Sequence, residues 1–179
     1  PEVSLISPMH NSGGNGRFEF KYNVSDETSI SSCDLIINDE VRSTNYSITR
    51  DVEEEFLISE LDVGRYEWNI NCTNVNGIEG SSNKRAVVVV ISSNFQGKTT
   101  DFSQVDVENI ENLVIENPTY GLINFTENIN HSDGANINQY VTITSNLIEI
   151  DSENIPQLNK SANLILYNLS IENPVVLKN

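Results

Sequence analysis

The sequence predicts an all-β chain made of two consecutive β-sandwich domains, residues 1–94 and 95–179. Three observations carry this. Apolar residues recur at period two over short runs, turn-forming residues punctuate those runs, and no stretch holds a helical period. Val105 to Ile115 has some three-four spacing, but its β-branched residues and asparagines disfavour a stable helix.

From the N-terminus, Val3, Leu5 and Ile6 suggest a first strand closed by Ser7-Pro8, and His10 to Arg17 reads as a loop holding three glycines. Phe18, Phe20, Tyr22 and Val24 then alternate with Glu19, Lys21 and Asn23 in the cleanest strand of the chain. A third strand is expected around Cys33 to Ile37, with a turn at Asn38-Asp39, and further strands near Tyr46 to Ile48 and Glu55 to Ile58. Tyr66, Trp68, Ile70 and Cys72 share one side of the next strand, while Glu67, Asn69 and Asn71 take the other. Arg85 to Ile91 completes seven strands, and because Ala86 to Ile91 is apolar without alternation, this strand is expected to be covered on both faces.

Ser92-Ser93-Asn94 and Gly97 through Thr100 read as a linker, polar and without period. Beyond it, strands are expected at Leu113 to Ile115, Tyr120 to Phe125, Tyr140 to Thr144, Leu147 to Ile150, Ala162 to Tyr167 and Val175 to Leu177. Asn117-Pro118, Ser132-Asp133-Gly134 and Asn173-Pro174 supply the breaks. Short Asn-rich strands also suit a β-solenoid, the alternative for this half, although no constant repeat length is present.

A formal net charge of -16 repels a phosphate backbone or an anionic membrane, so nucleic-acid binding is not expected. No apolar run reaches the length needed to span a bilayer, so no membrane insertion is expected in this segment. Pro1 opens the chain with neither an initiator Met nor a signal peptide, as expected of a mature or excised segment. The two cysteines, Cys33 and Cys72, each sit mid-strand among apolar neighbours. A disulfide between them is expected in an exported protein; two buried free thiols are the alternative. Seven Asn-x-Ser/Thr acceptors occur, at Asn23, Asn45, Asn71, Asn124, Asn130, Asn159 and Asn168, and they make N-linked glycans expected partners. Alternation turns Asn23, Asn71 and Asn124 outward. Asn168 shares parity with Leu164 and Leu166, so either that strand ends first or its other face is buried.

No catalytic constellation emerges, and no enzyme is expected. His10 and His131 fall in loops far apart in sequence, where solvated side chains are the expectation, and no nucleophile elbow, metalloprotease helix or P-loop occurs. Glu53, Glu54 and Glu55 read as a solvated turn. Glu111, Asp151 and Glu153 complete the carboxylates weighed for glycan hydrolysis, with Asp101, Asp106 and Glu108 flanking the linker. Those last three are where an interdomain Ca²⁺ ion is conceivable; otherwise no metal or cofactor is expected. Phe18, Phe20, Tyr22, Tyr66 and Trp68 are spaced to line a core, whereas Tyr120, Phe125, Tyr140 and Tyr167 are scattered over several elements.

Leu61, Gly64 and Tyr66, in L-x-x-G-x-Y, resemble the tyrosine corner of immunoglobulin-like and fibronectin type III sandwiches, in which a Tyr hydroxyl bonds backbone a few residues upstream. Trp68 holds the place of the antibody cysteine, so the antibody core disulfide is not assumed. More widely, P-x-V-x-L-x-S-P at Pro1 to Pro8, F-x-Y-x-V-S-D at Phe20 to Asp26, S-S-C-x-L-x-I-N at Ser31 to Asn38 and G-x-Y-x-W-x-I-x-C at Gly64 to Cys72 look like immunoglobulin-like modules of archaeal cell-surface and secreted proteins. The second half, from Thr99-Thr100-Asp101-Phe102 through Asn117 to Gly121 and Leu158 to Ala162, is similar to a β-rich module of the same kind of protein. Such modules usually continue into a further strand-forming segment. This chain stops at Asn179, which leads to two expectations: the second domain takes a closing strand from a neighbouring subunit, or the chain is a fragment of a longer one.

The resemblance implies an extracellular or cell-surface structural protein, a subunit of a homopolymeric filament, sheath or surface layer whose partners are copies of itself. The alternative is an adhesin or glycan- or protein-binding module that presents loops such as His10 to Arg17 and Glu127 to Asn138.

Overall fold

The computed structural model of the chain describes residues 1–169. Nine strands make up the first half: β1 (Glu2–Ser7), β2 (Ser12–Gly14), β3 (Phe18–Ser25), β4 (Ile30–Ile37), β5 (Glu40–Asn45), β6 (Glu54–Ile58), β7 (Gly64–Asn74), β8 (Glu79–Ser81) and β9 (Arg85–Ile91). They form a β-sandwich, with sheet order β1-β3-β6 on one side and β5-β4-β7-β9 on the other. The alternation read from β3 is the reason for its place: Phe18, Phe20, Tyr22 and Val24 are buried, and Phe20 meets Trp68 edge-on at 4.8 Å between ring centroids. Trp68, Ile70 and Cys72 of β7 and Cys33, Leu35 and Ile37 of β4 complete this core.

Asn38 and Asp39 both adopt left-handed backbone, φ 51° and 65°, and join β4 to β5 in a two-residue hairpin that pairs Ile37 with Glu40. The tight turn starts the returning strand at once. That is why β5 occupies Glu40–Asn45, and not Tyr46 to Ile48 as expected. The loop expected over His10 to Arg17 also needs correction, because β2 lies inside it and pairs in parallel with β9, Ser12 to Gly14 against Val87 to Val89. Its glycines serve close packing. A Cβ on Gly13 would stand 2.8 Å from Phe102 Cβ, and one on Gly14 would stand 2.8 Å from the Phe18 ring.

β9 is covered on both faces. Val87 and Val89 point into the first core, while Val88 and Val90 belong to a second core built with Phe95, Phe102 and residues from further along the chain. The second half holds β10 (Val114–Asn117), β11 (Gly121–Phe125), β12 (Ala135–Asn136), the single helical turn α1 (Ile137–Tyr140), β13 (Val141–Thr144), β14 (Leu147–Ile150) and β15 (Ala162–Leu166). An antiparallel sheet in the order β10-β11-β15 faces the β13-β14 hairpin across the second core. Antiparallel pairing sets the solenoid alternative aside, since stacked coils run parallel. The expected strand at Val175 to Leu177 lies outside the described residues.

The halves are joined by more than one chain crossing. β12 pairs in parallel with the end of β9, Ala135 against Val90, on the same edge that β2 occupies. The polar segment read as a linker is fastened along its length: Ser92 N donates to Asn15 Oδ1 at 2.8 Å, Phe95 is buried, and Thr100 N donates to Val114 O at 3.0 Å. Its polar groups are spent on hydrogen bonds, which composition alone reads as solvation.

Candidate assembly edge

Among the described residues, β15 is an edge strand mounted on a well-buried sheet. On the core side, Ile115, Ile123 and Leu164 lie in one row across β10, β11 and β15, and their exposures run 0%, 0% and 54%. On the outer side, the row Glu116, Leu122 and Ile165 runs 6%, 7% and 48%. The apolar pairs Ile123–Leu164 and Leu122–Ile165 therefore both run from a buried residue on β11 into solvent at β15, where a further strand would bury them.

The strand is held firmly. A Cβ on Gly121 would collide with Ile165 O, so glycine permits the close pairing of β11 with β15. Past its end, Tyr167 N donates to Tyr120 O at 2.8 Å and the Tyr167 hydroxyl donates to Glu116 Oε1 at 2.6 Å. That hydroxyl, with the Lys98 amide, holds the Glu116 carboxyl below the usual carboxylate range. Ser161 to Leu169 carries no charge, whereas edge strand β5 has Glu40 and Arg42, and edge strand β6 has Glu54 and Glu55 beside the Lys21–Glu53 pair at 3.0 Å. Charge at an edge opposes pairing with another sheet. β15 lacks that protection.

The other residues read from the sequence are distributed as follows. Cys33 and Cys72 are bonded, and they are directly opposed across β4 and β7 within one sheet, unlike an inter-sheet antibody bridge. The Tyr66 hydroxyl donates to Asp62 O at 3.0 Å, as a tyrosine corner requires. Asn23, Asn71 and Asn124 lie outside the cores between buried neighbours but are half-buried: strands pair with Asn71 and Asn124 on both sides and with Asn23 on one, and Asn124 Oδ1 has no hydrogen-bond partner. Asn45 is half-buried with its amide donating to Glu54 at 3.4 Å. Asn130, Asn159 and Asn168 are exposed. β15 ends before Asn168, which turns left-handed at φ 54°.

Asp101 accepts from Ser103 N at 3.0 Å, Asp106 from Glu108 N at 2.9 Å, and Glu108 pairs with Arg65 at 2.9 Å. Each carboxylate is occupied locally. Among the described residues no three His, Cys, Asp or Glu side chains converge as a metal site, and no helix is long and apolar enough to cross a membrane.

His10 is exposed, its Nδ1 accepting from Ala86 N at 3.0 Å. His131 corrects the expectation of a solvated loop. It is fully buried with both ring nitrogens unpartnered, edge-on to Phe102, and its backbone N–H donates to Val107 O at 2.7 Å. The pairing of Ile110 with Ile129 draws this segment into the second core, and Ala135 and Ile137 are buried too, so Glu127 to Asn138 is not a free loop. Burial pushes the His131 imidazole down to about 4. An unfolded chain, with its His near 6.5, takes up a proton that the folded one refuses between about pH 6.5 and 4. Stability therefore falls as pH drops through that window, by about 3 kcal/mol from this group. Urea unfolding at pH 7 and pH 4.5, a range that covers most of the window, should show a drop that is smaller by about 2 kcal/mol in His131→Leu; equal drops in the two proteins would refute the assignment.

Neither known family models nor curated proteins match the sequence. Among solved structures, the chain is similar to the fibronectin(III)-like modules of Clostridium thermocellum CbhA, at 21% identity and a TM-score of 0.36, over 49% of this chain and 92% of that one.

Proposed function

We propose that the chain is an extracellular structural subunit that polymerises with copies of itself into a filament, sheath or surface layer, by strand addition at β15. The observation that carries this reading is the run of two apolar cross-strand pairs from burial on β11 to about half exposure at Leu164 and Ile165. A chain of net charge -16 resists random association, so an uncharged edge is where two copies meet at least electrostatic cost. The buried disulfide favours an oxidising compartment. The resemblance to archaeal surface modules agrees with both, and glycans on exposed acceptors such as Asn130 and Asn159 would shield the remaining surface. In this reading residues 1–94 and 95–179 are two domains fused through β9, and neither catalysis nor a cofactor is involved.

Negative-stain electron microscopy and light scattering test it. The wild type is expected to form ordered polymers or concentration-dependent oligomers, and Leu164→Lys/Ile165→Lys to remain monomeric with an unchanged thermal transition. Monomers alone from the wild type at high concentration would end the proposal.

A further inference from the structure

Where the two halves meet, a cleft of about 280 Å³ opens between Val63 of the first half and the segments 134–140 and 154–157 of the second. Its lining carries four side-chain amides, from Asn136, Gln139, Asn154 and Gln157, with the ring of Tyr140, and no charged residue. The walls are preformed. Gly134 sits at φ 83° where a Cβ would stand 2.6 Å from Gly64 N, which brings the halves into contact at the floor. Asn136 Oδ1 caps α1 by accepting from Gln139 N at 3.2 Å, and this turn projects Gln139 outward. Asp151 N donates to Tyr140 O at 2.9 Å, while Ile155 and Leu158, both buried, anchor the opposite wall.

We propose that this cleft binds a neutral sugar ring. The Gln139 and Gln157 amides each offer two N–H donors and a carbonyl acceptor, which suits adjacent hydroxyls that both donate and accept, whereas Asn136 Oδ1 already accepts from Gln139 N and Asn154 Nδ2 already donates to Asp151 Oδ2 at 2.8 Å. No side-chain hydrogen bond among the described residues engages the amides of Gln139 or Gln157. Tyr140, half-buried against the second core, presents an amphipathic ring for the apolar face of a pyranose. An anion meets the chain's net charge of -16 with no cation in the lining, and a cation finds no carboxylate there. The volume lies near the lower end for small-molecule pockets, about 300 Å³, which fits one ring.

The test is ¹H–¹⁵N NMR of the full chain titrated with glucose, mannose, galactose and N-acetylglucosamine. At least one sugar is expected to bind in the millimolar range, shifting the Gln139 and Gln157 side-chain amides and the backbone of 134–140. Gln139→Leu/Gln157→Leu, at exposed and half-buried positions, should keep the fold and weaken that binding by about tenfold or more. Absence of shifts at these groups with all four sugars would overturn the proposal, and so would binding that the double substitution leaves unchanged. Both results are independent of whether the chain polymerises.

Discussion

Val90→Asp is expected to unfold the chain, with the near-ultraviolet circular dichroism of both halves lost together. Val90 is fully buried in the second core, opposite Ala135 in the register of β9 with β12. A carboxylate there has no cation to pair with and no water, and burying an unpaired charge exceeds about 4 kcal/mol, a large part of the whole stability of a domain. Because Val87 and Val89 on the same strand build the first core, damage to β9 is transmitted to both cores. Val41→Asp, on an edge strand at 61% exposure, is the control and should change stability by about 0.5 kcal/mol or less. Loss of structure confined to residues beyond 95, seen by hydrogen exchange, would show that β9 does not couple the halves.

Much of this coupling was legible in advance, for a simple reason. Six apolar residues without alternation, Ala86 to Ile91, have no outward polar face to offer, so both faces must be covered. The same logic placed β3 and β7, where one residue in two is polar, and the Asn38-Asp39 turn, where two left-handed residues are needed. What stayed hidden has a different physics. β2 is only Ser-Gly-Gly and β12 only Ala-Asn, too short for any period, and their places are set by close backbone approach and by the free edge of β9. His131 sits between polar neighbours and is buried by the pairing of Ile110 with Ile129, a contact made between distant residues. The run Ala162 to Leu166 announced a strand, but whether Leu164 and Ile165 are covered depends on what stands beside them. The junction cleft likewise gathers Val63, Gln139 and Gln157 from three parts of the chain.

Removing the disulfide with Cys33→Ala/Cys72→Ala is expected to lower stability by about 4 kcal/mol, chiefly by freeing the unfolded chain. The bond closes a loop of sequence separation 39, and chain-entropy scaling assigns a loop of that length about this much. The bonded pair lies between β4 and β7, which already exchange a long antiparallel register from Ile30 to Ile37, so the folded sheet keeps its alignment without it. The substitutions remove two sulfurs from a core that also holds Trp68 and Leu35, and a cavity there adds to the loss. The two contributions separate in kinetics: release of unfolded-state entropy slows folding, whereas loss of native packing speeds unfolding. Chevron analysis in urea of the oxidised wild type and the double variant should show most of the change in the folding arm. Both cysteines are fully buried, so reductant should reach the bond only through unfolding, and the native protein should withstand dithiothreitol until urea is added. A destabilisation below about 1 kcal/mol, or rapid reduction of the native protein, would mean that the bond is not holding the β4–β7 pair as the fold requires.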